Sequence, residues 1–244
     1  ADDIPAEMLF KKRPRRGDVP RSFTLRGGLQ RAVEGALRPA NVETRTGRAA
    51  ERVERTLGGF ATTLSDGARV ETRALCLAVP PGVAARLLAG PAPELAARVG
   101  RVQETRIDSL GFAVRAGRLA LPYTTFLIPL GDSFHSLVTR DVVSDPQWRA
   151  CTLHFRAGSS REERLRRACE VLALAPEDLQ AVSERRAVLP MPRRGHAELV
   201  AEIDRQLAPQ PLALTGNWFG GLAIEDCVLR SRAEWRRLAS LGGA

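Results

Sequence analysis

Residues 212–230 read LALTGNWFGGLAIEDCVLR. Three apolar residues run into Gly216-Asn217, a second glycine pair follows, and two acids open a segment with apolar residues at helical spacing. A strand, a glycine-rich turn and a helix in that order gather backbone amides and a helix N-terminus at one spot. Partial positive charge and close backbone approach there suit a phosphate or an anionic ring edge. Gly220 and Gly221 let the backbone come near a flat ligand without a Cβ in the way. Taken alone, the segment is equally a tight turn with a helix cap, in which Glu225 and Asp226 complement the helix dipole.

The rest of the chain mixes both periodicities. ALCLAV (Ala74 to Val79) is a continuous apolar run stopped by Pro80-Pro81-Gly82, the pattern of a strand buried on both faces. Short strands are expected at Arg21–Leu25, Asn41–Thr46, Arg52–Arg55, Gly59–Leu64 and Ala68–Thr72, with turns at Leu57-Gly58-Gly59 and Ser65-Asp66-Gly67. Leu29, Val33, Ala36 and Leu37 repeat at helical spacing, and Val83–Leu88 and Glu94–Val99 are helical. From Gln103 the pattern becomes antiparallel: strands at Thr105–Val114, Phe126–Leu130, Phe134–Thr139 and Cys151–Phe155, a helix at Arg161–Leu174, then a strand at Ala181–Leu189. A breaker-rich bend, Pro190 to Gly195, leads to a helix at Ala197–Leu207 and a strand at Pro211–Thr215. This is α/β at both ends with an α+β insert.

Composition narrows the function classes. The net charge of +9 is almost all arginine, since Lys11 and Lys12 are the only lysines. Such a bias reflects either a GC-rich genome or an anionic partner: nucleic acid, an acidic membrane surface or a carboxylate ligand. With 5% aromatics and neither RNP-like nor zinc-finger spacing, nucleic acid is not expected. Cys76, Cys151, Cys169 and Cys227 form no CxxC, and His135, His154 and His196 are scattered, so neither a metal site nor a disulfide framework is implied. Cys76 and Cys227 have apolar neighbours and are expected to be buried thiols. The start, ADDIPAEMLF, lacks the signal-peptide pattern, and a reducing, cytoplasmic setting fits. No Ser-His-Asp or Cys-His constellation can be assembled, so catalytic side chains are not assigned.

Four motifs in order carry a resemblance. Arg26-Gly27-Gly28-Leu29-Gln30 looks like a Gly-Gly-(Met/Leu)-Gln turn. ALCLAVPPGVAARLL is similar to a strand with a Pro-rich turn, and Pro190 to His196 resembles a Pro-x-x-x-Gly-His bend. Gly216, Gly221, Leu222, Ala223, Ile224, Asp226, Cys227 and Val228 match a C-terminal flavin segment. Together they resemble the FAD-dependent amine oxidase superfamily, most closely its protoporphyrinogen oxidases. The likeness runs over residues 21 to 240 and corresponds to the C-terminal half of the FAD-binding fold, with a mixed-sheet substrate domain inserted. The Gly-x-Gly-x-x-Gly start and the ribose-binding acid of that family are absent from this sequence.

The first twenty residues, polar and basic with KKRPRR, read as an exposed arm or linker; after them the resemblance implies a first FAD-binding part over 21–102, a substrate part over 103–204 and a second FAD-binding part over 205–244. It places Leu222, Ala223 and Ile224 beside the isoalloxazine ring, Gly216, Asn217 and Gly221 along the cofactor, and Ala50 or Val53 by the adenine. Ala50 is equally read as a core-strand residue. On the substrate side it places Leu127 against a tetrapyrrole; Phe126 and Tyr123 could stack on a flat ring, and are more often core at strand spacing. A second polypeptide would supply the missing FAD-binding half. Arginines would suit propionates, and KKRPRR an anionic membrane surface or simply solvent. Amine oxidation, polyene desaturation and non-catalytic binding of a ligand or partner remain the competing functions.

Overall fold

A computed structural model describes residues 5, 17–18, 25–38 and 41–242. Most of the basic arm and of the strand expected at Arg21–Leu25 therefore lies outside the described residues. Helix α1 (Gln30–Ala36) precedes strands β1 (Ala50–Thr56), β2 (Gly59–Leu64), β3 (Arg69–Thr72) and β4 (Leu75–Leu77), and helices α2 (Pro81–Leu88) and α3 (Pro93–Val99). Strands β5 (Glu104–Arg115), β6 (Phe126–Leu127), β7 (Phe134–Thr139) and β8 (Trp148–Arg156) follow, then α4 (Arg161–Leu172) and β9 (Gln180–Pro190). The order ends with α5 (His196–Leu207), β10 (Leu212–Leu214) and α6 (Ile224–Ser240).

The chain divides into two compact units, one of residues Ala1–Glu104 with Pro190–Ala244, the other Thr105–Leu189. Residues 190–204, expected with the substrate part, pack with the first unit. The reason is α5, whose Leu199, Ile203 and Leu207 are buried in that unit's core beside Leu77, Leu87, Leu95 and Trp218.

In the first unit, β1, β2 and β3 form an antiparallel meander, turned tightly at Leu57-Gly58. β4 and β10 make a separate parallel pair, with Leu75, Cys76 and Leu77 opposite Leu212, Ala213 and Leu214. Two sequence expectations change here, and a third is met by a helix that buries nothing. Residues 41–46 form no strand and are all exposed, because their alternation has no face to bury. Helix α1 forms, yet Leu29, Val33 and Leu37 are exposed and the helix buries nothing. The apolar run of β4 is not buried on both faces: Leu77 is buried, but Cys76 is exposed, and Cys227 is only half-buried. Alone, the pair lacks the cover that makes a parallel strand fully apolar in its surroundings.

The second unit is a five-stranded sheet in the order β6-β7-β8-β5-β9. One face packs on α4, where Leu110, Phe112, Leu137, Leu153 and Phe155 meet Ala168 and Leu172. Ser160 starts α4 with a reciprocal cap: its Oγ accepts from Glu163 N–H at 3.2 Å, and its own N–H donates to the Glu163 carboxylate at 2.7 Å. Ser160→Ala is expected to cost about 1 kcal/mol in urea unfolding, and Ser160→Thr clearly less.

Candidate functional site

The strand–turn–helix expected near the C-terminus is present, built from β10, residues 215–223 and α6. Its two aromatics set its shape. Trp218 is fully buried and stacks on Phe219 with ring centroids 3.9 Å apart. Trp218 Nε1 donates to Val79 O at 3.2 Å, and its carbonyl is hydrogen-bonded to His196 Nε2 at 2.6 Å. His196 therefore fixes the bend that precedes α5, which is the structural role its setting after Arg-Arg-Gly suggests. Arg230 lies over the Phe219 ring, 3.9 Å from its centroid.

With the aromatics turned inward, the next residues are left outward. Leu222 and Ile224 are 52% and 71% exposed, and Ala223 is half-buried. Leu222 and Ile224 thus put apolar surface at the N-terminus of the seventeen-residue helix α6. Asp226, itself buried, accepts from Ala223 N–H at 3.2 Å. That amide is consequently occupied within the chain. Gly221 has φ +157, and a Cβ there would collide with the Asp226 carboxylate; its glycine is accounted for by this cap. Gly216, at φ +140, has the Trp218 ring 3.3 Å from where a Cβ would sit. Asn217 is half-buried beside it.

Ala50 and Val53 lie on β1 of the same unit. Val53 is buried in the core, and Ala50 packs against that core while remaining half-buried. Only their backbone, or the open side of Ala50, is left to a ligand.

In the second unit, Phe126 and Leu127 are neighbours on β6 with opposite outlooks. Leu127 pairs with Leu137 and packs on the α4 side. Phe126 is exposed on the other face. There it starts a row running straight across the sheet through Val138, Thr152 and Gly111. The neighbouring row is Ser136, His154 and Ser109, with Ser109 Oγ hydrogen-bonded to His154 Nδ1 at 2.9 Å. Arg140 Nε donates to Thr152 Oγ1 at 3.3 Å on this face. Burial, with Arg140 and His135 nearby, holds the His154 imidazole below its usual range. The result is a sheet face that carries Thr152, Ser136, Ser109 and His154 beside Val138 and Gly111, with an aromatic at one end. Tyr123 does not join it, because its ring faces the Arg149 guanidinium at 4.3 Å. Among the described residues no three His, Cys, Asp or Glu side chains converge as a metal site, and no helix is long and apolar enough to cross a membrane.

No family model matches the chain. Coproporphyrinogen III oxidases of Mycobacterium tuberculosis and Mycobacterium bovis are 29% identical to it over 223 residues, which is 84% of this chain and 48% of theirs. A crystal structure from Exiguobacterium sp. 255-15 assigned as a protoporphyrinogen oxidase superposes with a TM-score of 0.69 at 18% identity, covering 87% of this chain and 51% of that one. A putrescine oxidase variant gives 0.63 at 13% identity over 88% and 53%. Cyclohexylamine oxidase from Brevibacterium oxydans gives 0.59 at 15% identity over 79% and 48%. The chain has the fold of the C-terminal part of these oxidases, and it spans about half the length of the relatives it matches.

Proposed function

We propose that the chain is one subunit of a split FAD-dependent oxidase that acts on a porphyrinogen-like substrate, its partner polypeptide carrying the nucleotide-binding half. The observation behind this reading is the glycine turn. Its aromatics are packed into the core, and Leu222, Ala223 and Ile224 are left facing outward at a helix N-terminus. That arrangement fits one edge of a flat, electron-accepting ring, while the Gly-x-Gly-x-x-Gly unit that holds a pyrophosphate does not occur in this sequence.

When bound, FAD supplies a ring that accepts a hydride from the reduced substrate. The chain's own contribution is electrostatic and steric. The amides of Leu222 and Ile224 and the dipole of α6 favour the negative charge that ring reduction brings to that edge. The side chains of Leu222 and Ile224 exclude water from it. On the substrate side, the open sheet face offers Phe126 as a stacking partner, and Arg140 suits a propionate through two parallel N–H donors. Leu127 contributes from beneath, as core. The likeness to coproporphyrinogen oxidases favours porphyrinogens over amines. So do the turn's aromatics, which are stacked on each other in the core and build no cage for an ammonium.

Co-expression with the partner should yield a yellow complex. Ile224→Asp should lower its flavin content at least about tenfold by putting a hydrated charge where Ile224 offers the ring an apolar side chain. The unfolding midpoint of the chain itself should not be lowered, because Ile224 is exposed and an acid at the start of α6 suits the helix dipole. A complex that forms and is colourless would rule the reading out.

A further inference from the structure

Parallel sheets draw their stability from cover on both faces and neighbours along both edges, so an isolated parallel pair of three-residue strands is an incomplete object. In the first unit β10 is complete and β4 is not. Leu212, Ala213 and Leu214 are each at most 1% exposed. The outer edge of β10 is closed by arginines of α6: Arg237 donates to Leu212 O at 2.6 Å and Arg230 to Leu214 O at 3.1 Å. A further strand could pair there only by displacing both.

The edge of β4 is the reverse. Leu75 N–H donates inward to Pro211 O at 3.0 Å, and Leu77 O accepts inward from Thr215 N–H at 3.1 Å. Strand alternation then turns the N–H and C=O of Cys76 to the outer edge, where no described residue bonds them. Helix α6 packs over β10 and covers Ala213, while Cys76, its register partner, stays exposed. Helix α6 also carries Ile224, Val228 and Trp235, spaced along one stripe and all exposed.

We propose that the outer edge of β4 receives a parallel strand from the second polypeptide that supplies the other half of this fold. The inference rests on the split-oxidase reading and adds where the two chains join. The relatives are about twice as long as the matched region, so the part of their fold that this chain does not match is large enough to bring a strand to this edge and, with the helix that follows it, to cover the exposed stripe of α6.

The test uses the full chain, co-expressed with polypeptides of its own source that carry a strand followed by Gly-x-Gly-x-x-Gly. Cys76→Pro removes only the outward N–H and leaves the inward ladder intact, whereas Cys76→Ser keeps it. The wild type and the serine variant should co-purify with one such polypeptide, and the proline variant should bind at least about tenfold more weakly, having lost a main-chain bond and placed a ring in the path of the strand. Should the proline variant misfold, the Cys76 amide of the wild type gives the answer. It should exchange with solvent rapidly in the free chain and roughly a hundredfold more slowly in the complex. A proline variant that is folded and binds as the wild type does, a Cys76 amide unprotected in the complex, or two copies of this chain paired through β4 would each overturn the docking edge and leave the functional reading standing. A wild type that pairs with none of these polypeptides would bring down both.

Discussion

Trp218→Ala is expected to destabilise the first unit by about 3–5 kcal/mol, the range for truncating a large buried aromatic. The ring is fully buried, and it is the largest side chain in that state. The main-chain carbonyl of the same residue, which alanine keeps, is bonded to His196 at the start of α5. The side chain's Nε1 holds Val79 after β4, and the ring stacks on Phe219, which in turn lies under Arg230 of α6. Removing it leaves Val79 O without its donor and a void where the turn bends around the ring at Gly216. The turn's outward residues should lose their fixed position as well. Trp218→Phe keeps much of the apolar contact and gives up the Val79 bond, so a cost nearer 1–3 kcal/mol is expected for it. Urea unfolding followed by Phe219-side-chain and α5 signals would check both values. A loss below about 1 kcal/mol for the alanine variant would mean that the turn does not depend on this ring.

The turn was legible in the sequence because glycine pairs and a following pair of acids announce themselves locally. What the glycines do was only half legible. Gly221 is demanded by the Asp226 cap, a contact five residues along the chain; both residues stand in the flavin-segment pattern, but the pattern does not say that one packs on the other. The strands of the insert could be found from alternation, but their register could not, and register decides which side chains meet. Phe126 and Leu127, adjacent in sequence and both expected at the substrate, face opposite ways across the sheet. Ser109 and His154 are 45 residues apart and pair only because β5 and β8 align them. The expected burial of Cys76 failed for a different reason. An apolar run reports the surroundings of a strand in the whole fold, and this chain carries about half of it. Leu29, Val33 and Leu37 of α1 are exposed with the same signature, apolar spacing without a surface to meet it.

Asp141→Ala is expected to destabilise the second unit by about 3–5 kcal/mol, since it strands a buried guanidinium. Asp141 and Arg149 are each 3% exposed at the side chain and 2.6 Å apart. Arg149 spends its remaining donors on the carbonyls of Leu119, Leu121 and Pro122, and Asp141 accepts from Thr124 N–H at 2.9 Å. The pair therefore holds residues 119–124, the segment that leads into β6 and sets where Phe126 stands. Burial pushes the Asp141 carboxyl up, but bonds from the Thr124 amide, the Thr139 hydroxyl and Arg149 outweigh it and hold the group below its ordinary value. A carboxyl lowered in the folded state stabilises it at every pH above its unfolded value, about 3.9, and that contribution fades as pH falls through the folded value. The wild type should accordingly lose stability on acidification in this range, while Asp141→Asn should start lower and show a shallower acid limb. Replacing both partners, Asp141→Leu with Arg149→Met, should recover part of what Asp141→Ala loses, because the larger cost lies in the unpaired charge. Unfolding midpoints of the four proteins across the acid range decide it. Equal acid limbs for the wild type and Asp141→Asn would show that this carboxylate is not what the second unit loses in acid.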